Sequence, residues 1–373
     1  MQIPFFNYPQ IFKQNQITFE KIFRDVCLRG AYILQEDLFN FEQNLAKYLN
    51  AKHIIGVSDG TNAMIIGMRA CGIKEGDEII ISSHTYIATA AAIKMLGAIP
   101  VFADIGEDNL LSPREIEKNI TRHTKAIMPT QLNGRCCDMD KINQIAKDNN
   151  LKLFEDSAQG LGAKFKGKFA GTFGSFGTIS FYPAKLLGCF GDGGVVITND
   201  DDIANEVLLL RDHGRNKDGE VVAWGTNSRL DNLQAAFLDF KLKNFGKDIF
   251  RRREIAGMYD DAFRNHPKII SPPGPNNKNG HFDVYQNYEA SFENRDQLKS
   301  FLKEKNIGTL IQWGGSPVHH FQDLGFGKSK YKHLNKTNKF FENCLMLPMN
   351  TALENEEVNY IINHVLSFYD ENK

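Results

Sequence analysis

The amino-acid sequence predicts an α/β fold, with a large domain on a mainly parallel sheet and a smaller α+β domain after it. From about residue 53, short β-rich runs alternate with longer helical stretches, which is the pattern of βαβ units. At 373 residues the chain exceeds one average domain. Hydrophobic residues make up 42% of it, as in globular proteins that bury a sizeable core.

Short apolar runs predict the strands of the large domain, and helical patterns separate them. The predicted strands are 53–57, 78–82, 99–103, 125–129 and 151–154. The predicted helices are 61–70, 87–96, about 113–119 and 138–148. Strands that alternate with helices of this length form a buried sheet whose neighbouring strands are mainly parallel.

Glycine is concentrated in the middle of the chain, where residues 160–194 hold ten of the 31 glycines. This density indicates tight turns and close backbone approaches. The elements predicted after it are helices at about 200–213, 229–265, 296–305 and 354–368, strand-like runs at 281–292 and 308–313, and a turn-rich connector at 271–280. We therefore predict a large domain over residues 1–245 and a smaller C-terminal domain over residues 246–373.

Charge and composition argue against several functional classes. Lys and Arg total 44 against 45 Asp and Glu, whereas a nucleic-acid-binding protein usually carries a basic face. The first residues lack the pattern of a secretory signal, and no apolar run approaches the roughly 20 residues that span a bilayer. Six scattered cysteines are typical of reduced thiols. We expect a cytoplasmic protein that binds neither nucleic acid nor a membrane.

A carboxylate and a lysine carry the chemistry that the sequence predicts. Asp156 lies just past a predicted strand end, where α/β sheets present ligand-binding groups. Lys185 lies in a glycine-rich, otherwise apolar loop, where burial would lower its pKa and leave an amine able to form a Schiff base. A carboxylate facing the pyridinium nitrogen of pyridoxal phosphate is the natural complement of such a lysine. The alternative is that Asp156 caps a helix and Lys185 is a solvated loop residue.

A second group of residues predicts an anion site. Segment 58–63 lies between a strand and a helix, so its backbone N–H groups can bind a phosphate at the helix N-terminus. Plain N-capping by Ser58 or Asp59 is the alternative. Ser180 can add a hydroxyl to the same phosphate. Tyr86 opens the next helix, where its ring either lies against a planar cofactor or is a half-buried aromatic.

In their order and spacing, these motifs resemble the vitamin-B6-dependent nucleotide-sugar aminotransferases of the DegT/DnrJ/StrS type over nearly the whole chain. The matching segments are 60–64 (Gly-Thr-Asn-Ala-Met), 85–89 (Thr-Tyr-Ile-Ala-Thr), 155–159 (Glu-Asp-Ser-Ala-Gln), 180–185 (Ser-Phe-Tyr-Pro-Ala-Lys), 191–194 (Gly-Asp-Gly-Gly) and 227–235 (Asn-Ser-Arg-Leu-Asp-Asn-Leu-Gln-Ala). The resemblance implies an aspartate-aminotransferase-like fold (PLP fold type I) with a sheet of the seven-stranded type. It also implies pyridoxal 5′-phosphate as the cofactor.

The resemblance implies a role for each site residue. Lys185 would hold the cofactor and then move the proton between the substrate carbon and the cofactor. Asp156 would pair with the pyridinium nitrogen, and Gln159, where many members have His, would contact the ring's 3-oxygen. The remaining cofactor contacts would be Tyr86 on the ring face and, on the phosphate, Gly60, Thr61, Ser180 and Asn227 of a second subunit. A homodimer with a shared active site is implied by the role of Asn227.

Segment 310–319 (Leu-Ile-Gln-Trp-Gly-Gly-Ser-Pro-Val-His) bears on the substrate. It resembles the branch that acts on 3-keto-6-deoxy sugars linked to thymidine diphosphate. Members acting at carbon 4 tend to carry a His-Tyr-x-Pro-x-His pattern there. The substrate contacts expected from this resemblance are Tyr182, Gln312, Trp313 and His319. Taken singly, Trp313 is equally well explained as a core residue of the small domain, and His319 as a surface histidine.

We therefore predict an aminotransferase that moves an amino group from glutamate to the 3-keto carbon of a dTDP-linked 6-deoxyhexose, in glycan biosynthesis. The main alternative is a 4-aminotransferase acting on a UDP- or dTDP-linked 4-keto sugar. A dehydratase on the same scaffold carries histidine in place of the Schiff-base lysine, so Lys185 argues against that class. The intact set of site residues argues against a non-catalytic regulatory protein.

Three histidines and a basic run form two further groups of residues. His319, His320 and His333 lack carboxylate or thiol companions at ligand spacing, so no metal site is expected. The basic run 251–253 lies on a helical stretch, where it either faces solvent or meets the nucleotide diphosphate.

Overall fold

A seven-stranded sheet is the centre of the protein in this computed structural model, which describes residues 1–276 and 279–371. Residues 277 and 278 of the predicted connector lie outside the described residues. The strands are β1 (His53–Val57), β2 (Glu78–Ser82), β3 (Ile99–Ala103), β4 (Thr124–Ile127), β5 (Lys152–Asp156), β6 (Lys164–Phe165), β7 (Lys168–Phe169), β8 (Phe176–Ser180), β9 (Gly194–Thr198), β10 (Ile269–Ile270), β11 (His281–Phe282), β12 (Tyr288–Phe292) and β13 (Cys344–Leu347).

The helices cover the sheets and connect their strands. They are α1 (Tyr8–Lys13), α2 (Gln16–Arg29), α3 (Glu36–Leu49), α4 (Gly60–Ala70), α5 (Ile87–Met95), α6 (Pro113–Lys118), α7 (Met139–Asp148), α8 (Asp201–Arg211), α9 (Asn232–Leu242), α10 (Phe245–Phe263), α11 (Arg295–Glu304), α12 (Asn335–Asn343) and α13 (Asn355–Glu371). None of the helices in the described parts of the chain combines the length and apolar composition that crossing a bilayer requires.

The large sheet has the strand order β1-β9-β8-β5-β4-β2-β3. Its pairs β2–β3, β2–β4, β4–β5 and β5–β8 are parallel, whereas β9 is antiparallel to both neighbours, β8 and β1. The predicted α/β fold with a mainly parallel sheet is therefore confirmed.

Both faces of the large sheet are buried, and β2 shows how. Ile79, Ile80 and Ile81 are all fully buried. Because successive strand residues point to opposite faces, Ile80 packs in the cluster with α3, α7 and α9. Ile79 and Ile81 pack in the other cluster, with α4, α5 and α8. This two-sided burial explains why the predicted strands are apolar throughout.

A second core lies on a three-stranded antiparallel sheet of order β10-β12-β13. It is formed with buried residues of α10, α11 and α13. Ile3, close to the start of the chain, pairs with Ile307 and is buried in the same core. The domain boundary at residue 245 stays a prediction.

Three predicted elements after residue 229 differ from the structure. The strand-like run predicted at 281–292 is two strands, β11 and β12, which belong to different sheets. The single long helix predicted at 229–265 is two helices, because the chain leaves the helical conformation at Asn244 (φ −106°, ψ 0°). The strand predicted at 308–313 is a single bridge between Leu310 and Met346. It ends there because Trp313 (φ 50°) and Gly314 (φ 69°) adopt left-handed conformations that an extended strand cannot contain.

Candidate active site

A cavity of about 530 Å³ lies at the carboxyl ends of the parallel strands. Asp156 ends β5, Ser180 ends β8, and Tyr86 follows β2. The residues predicted from sequence that line it are Gly60, Thr61, Tyr86, Asp156, Gln159, Ser180, Tyr182, Lys185, Gln312 and Trp313. The structure thus gathers ten residues that are spread over more than 250 positions of the chain into one cavity.

Asp156 presents a buried carboxylate to this cavity. The residue is 3% exposed, and it accepts hydrogen bonds from Thr89 Oγ1 (2.6 Å) and from the Ala158 N–H (3.1 Å). Thr85 in turn contacts the hydroxyls of Thr89 and Thr130. Within residues 1–276 and 279–371, no ion pair reaches Asp156. A buried carboxylate without a cation is costly, so the site fits a positively charged ring nitrogen.

Lys185 lies in a tight loop that follows β8. Its N–H donates to the Tyr182 carbonyl (2.8 Å), and a Cβ on Gly188 would come within 2.5 Å of the Pro183 carbonyl oxygen. The loop can therefore close only with glycine at position 188. Burial lowers the pKa of the Lys185 amine, and the charge of Asp156 partly opposes that shift. Asp156 caps no helix among the described residues, and Lys185 is half-buried in the cavity wall.

The N-terminus of α4 forms one wall of the cavity. Asp59 caps the helix by accepting from the Asn62 N–H (2.8 Å), as the alternative interpretation predicted. The N–H groups of Gly60 and Thr61 have no partner among the described residues. A Cβ on Gly60 would lie 3.0 Å from the Ser180 Cβ, so glycine lets this terminus approach Ser180. Free amides at a helix N-terminus are suited to a phosphate.

Gln159 is oriented by two asparagines that the sequence did not identify. Its Oε1 accepts from the Asn133 N–H (2.9 Å) and lies 3.5 Å from Asn287 Nδ2. Asn133 has a left-handed backbone (φ 55°), and its side chain donates to Glu289. With Oε1 occupied, Gln159 keeps its Nε2 as the donor for a ligand. No local motif marks Asn133 or Asn287, because each acts through a contact with a distant part of the chain.

The cavity lining also carries an aromatic pair and an amide with an unpaired Nε2 donor. The rings of Tyr86 and Trp313 lie 6.3 Å apart, and Tyr86 is 54% exposed. Gln312 is 1% exposed, and its Nε2 has no hydrogen-bond partner among the described residues. An unpaired buried donor beside an aromatic face fits a ligand that offers hydroxyl oxygens.

Two predicted site residues do not line this cavity. Asn227 is exposed and pairs with Asp212 in the loop between α8 and α9. His319 is wholly buried, with its ring between Ser83 Oγ (2.6 Å) and Asn338 Oδ1 (3.0 Å). Burial lowers the pKa of His319 to about 4. The expectation that His319 contacts the sugar therefore finds no support here, and its interpretation as a surface histidine is wrong.

The basic run 251–253 does not form a solvated face. Arg252 is buried and donates to three backbone carbonyls, and Arg253 donates to those of Pro275 and Asp283. Arg251 donates to the Leu353 carbonyl. These guanidinium groups tie α10 to neighbouring loops, and none of the three lines the cavity that holds Asp156.

Comparison with known proteins agrees with this geometry. The chain matches the DegT/DnrJ/EryC1/StrS aminotransferase family over residues 14–366. The dTDP-3-amino-3,6-dideoxy-alpha-D-galactopyranose transaminase of Aneurinibacillus thermoaerophilus is 38% identical over 365 residues, which cover 97% of this chain and 98% of the relative.

Solved structures give the same result for the fold. DesV of S. venezuelae, solved in complex with a ketimine intermediate, superposes with a TM-score of 0.94 and 34% identity, over 98% of either chain. NtdA of Bacillus subtilis, solved with the cofactor PMP bound, has a TM-score of 0.90 and 27% identity, over 99% of this chain and 85% of its own. The fold predicted from the motifs is confirmed, and the chain belongs to the DegT/DnrJ/EryC1/StrS aminotransferase family.

Proposed function

We propose that this aminotransferase uses pyridoxal phosphate to transfer an amino group from glutamate to the 3-keto carbon of a dTDP-linked 6-deoxyhexose. The observation that carries the proposal is the pairing of Asp156, a buried carboxylate, with Lys185, whose pKa is lowered by burial, in one cavity. A buried carboxylate that shares a cleft with a lysine of lowered pKa is typical of catalytic sites.

The cavity residues suit each part of that cofactor. Asp156 would hold the proton of the pyridinium nitrogen, Gln159 Nε2 would donate to the ring oxygen, and Tyr86 would cover the ring face. The phosphate would be held by Gly60, Thr61 and Ser180. When bound, pyridoxal phosphate supplies a ring that withdraws electrons from the reacting carbon.

The amine of Lys185 would accept and donate the proton that moves during the reaction. Its lowered pKa increases the fraction of neutral amine near neutral pH, and a neutral amine can accept the proton from the carbon that bears the nitrogen. Thr89 would hold the Asp156 carboxylate in place through its 2.6 Å hydrogen bond. Because Lys185 is present, we do not favour the dehydratase class, in which histidine replaces it.

Gln312 and Trp313 support carbon 3 of the sugar as the carbon that receives the amino group. Gln312 offers an unpaired Nε2 and Trp313 an apolar face, which suits a deoxysugar ring with few hydroxyls. The relative from A. thermoaerophilus is named as a transaminase of a dTDP-linked 3-amino-3,6-dideoxy sugar. The alternative is amination at carbon 4 of a UDP- or dTDP-linked 4-keto sugar.

A panel of nucleotide-linked 3-keto and 4-keto-6-deoxy sugars, each incubated with glutamate, tests this regiochemistry. We expect a new C–N bond at carbon 3 of the dTDP-linked 3-keto substrate, located by NMR of the product. Amination at carbon 4, with no product from the 3-keto sugar, would overturn the choice of carbon while leaving the cofactor contacts unaffected.

We also propose that the enzyme is a homodimer whose active sites are shared. The loop before Asn227 exposes Val221, Val222 and Trp224 at 67%, 58% and 87%. Neighbouring exposed apolar side chains of this kind mark protein contact surfaces. In a dimer this loop would bring Asn227 to the phosphate in the partner's cavity.

The six free cysteines support a cytoplasmic, reducing location.

Mixing two inactive variants tests the shared site. Lys185→Ala and Asn227→Ala subunits, exchanged to give heterodimers, should regain activity, because one of the two cavities then has both residues intact. In a statistical mixture, about half of the dimers are heterodimers, so we expect roughly a quarter of wild-type activity. Unmixed samples of each variant are the controls. Confirmed subunit exchange without any recovery would contradict a shared site.

A further inference from the structure

The backbone on either side of Lys185 is held by one side-chain amide from the other half of the chain. Gln286 lies between β11 and β12 and is 5% exposed. Its Oε1 accepts from the Leu186 N–H at 2.7 Å, and its Nε2 donates to the Ala184 carbonyl, also at 2.7 Å. The two peptide groups that flank Lys185 therefore share a single partner.

Gln286 is itself held firmly. Its N–H donates to the Asn133 carbonyl (3.0 Å), and the buried Arg252 donates to the carbonyls of Gln286 and Tyr285, each at 3.1 Å. The same guanidinium donates to the Met349 carbonyl at 2.8 Å. A continuous set of hydrogen bonds thus runs from α10 through Gln286 to the loop of Lys185.

Gln286 also lines the cavity, where its side chain binds backbone groups. Both of its polar atoms are engaged by backbone groups. Asn287, the next residue, contacts Gln159 and Gln312 instead. The side-chain hydrogen bonds of Gln286 therefore go to the two peptide groups beside Lys185.

We propose that Gln286 is a positioning residue that sets the backbone, and with it the reach of the amine, of Lys185. This inference rests on the proposed role of Lys185. Displacing a reacting group by about 1 Å can cost roughly 100-fold in rate. Without Gln286 the Leu186 N–H and Ala184 carbonyl would lose their partners, so the loop would move to find others.

The test compares Gln286→Met with Gln234→Met. Gln234 also holds this loop, since its Oε1 accepts from the Phe190 N–H at 2.8 Å, but it lies outside the lining of the cavity. We expect Gln286→Met to lower kcat about 10- to 100-fold, with KM for glutamate and for the ketosugar within about twofold. Gln234→Met should keep kcat within about twofold at a similar loss of thermal stability.

A second readout needs no turnover. The protein without cofactor is treated with an amine-reactive reagent at several pH values. Mass spectrometry then measures how fast Lys185 is modified at each pH, which reports the pKa and accessibility of its amine. We expect a changed pH profile in Gln286→Met and a wild-type profile in Gln234→Met. Gln286→Glu keeps an acceptor for Leu186 and adds a negative charge beside Lys185, so its profile should move to higher pH. If the methionine variant does not fold, the kcat of Gln286→Glu decides the question, because this substitution removes the donor to the Ala184 carbonyl and a kcat within about twofold of wild type would overturn the proposal.

The outcomes separate this inference from the assignment of Lys185. If Gln286→Met or Gln286→Glu has wild-type kcat and a wild-type Lys185 profile, Gln286 does not position the lysine. The same conclusion follows if both methionine variants lose activity in proportion to their stability. If Lys185→Ala in parallel still binds pyridoxal phosphate covalently, the proposed function of Lys185 has failed instead.

Discussion

Lys185→Ala is expected to abolish turnover, with kcat lower by on the order of 10⁶-fold, as when other enzymes lose their covalent nucleophile. Lys185 is the one lysine among the described residues that line the cavity. Its removal takes away both the group that would hold the cofactor and the group that would move the proton. Borohydride should then no longer fix pyridoxal phosphate to the chain, as measured by the mass of the treated protein.

Lys241→Ala is the matched control for that experiment. Burial lowers the pKa of Lys241 as it does that of Lys185. Its Nζ donates to the Gly188 carbonyl of the same loop (2.6 Å). It does not line the cavity with Asp156, so Lys241→Ala should still be fixed by borohydride at one site. Continued covalent trapping in Lys185→Ala would show that another amine holds the cofactor.

Asp156→Asn is expected to fold but to lose activity, by about 100- to 1,000-fold in kcat, the loss typical of removing one preorganised electrostatic partner. A neutral amide cannot stabilise the charge of a protonated ring nitrogen. Asn retains an acceptor for Thr89 Oγ1, so the local hydrogen bond can persist. The measurements are steady-state kinetics and the visible absorbance of the bound cofactor.

Asp156→Asn is also expected to change the pKa of Lys185. The charge of Asp156 raises the pKa of the Lys185 amine against the larger, opposite effect of burial. Removing that charge should lower the pKa further, so the Lys185 amine in cofactor-free Asp156→Asn should become reactive at lower pH. A shift to higher pH, or no shift, would contradict the electrostatic coupling of the two residues.

Asp104→Asn provides the structural control. Asp104 directly follows β3 at the same edge of the sheet, is 5% exposed, and accepts from the Thr337 N–H and Oγ1. It does not line the cavity. Its substitution should cost about 1–3 kcal/mol of unfolding free energy, as for other hydrogen bonds to charged groups, without changing the cofactor spectrum. Near-normal turnover in Asp156→Asn would mean that the ring nitrogen lies elsewhere.

Periodicity and apolar runs predicted five of the seven strands of the large sheet, because these strands are buried on both faces, but not β8 (Phe176–Ser180) and β9 (Gly194–Thr198) in the glycine-rich stretch. The predicted strands 53–57, 78–82 and 99–103 are β1, β2 and β3 with the same bounds. The first three helices, before residue 53, were not predicted, and neither was β13 (Cys344–Leu347). The strand β13 is buried only because α12 and the second sheet place partners around it.

The sequence by itself determined the α/β class, the family and ten of the residues that line the cavity, because motif order and strand-end positions are local properties of the chain. Only the tertiary structure decided which side chains orient those residues. Asn133, Gln286 and Asn287 act across 26, 100 and 128 positions of sequence, through hydrogen bonds whose geometry depends on how the chain packs. His319 lies outside the lining of the cavity for the same reason, since its burial against Ser83 follows from a contact 236 residues away.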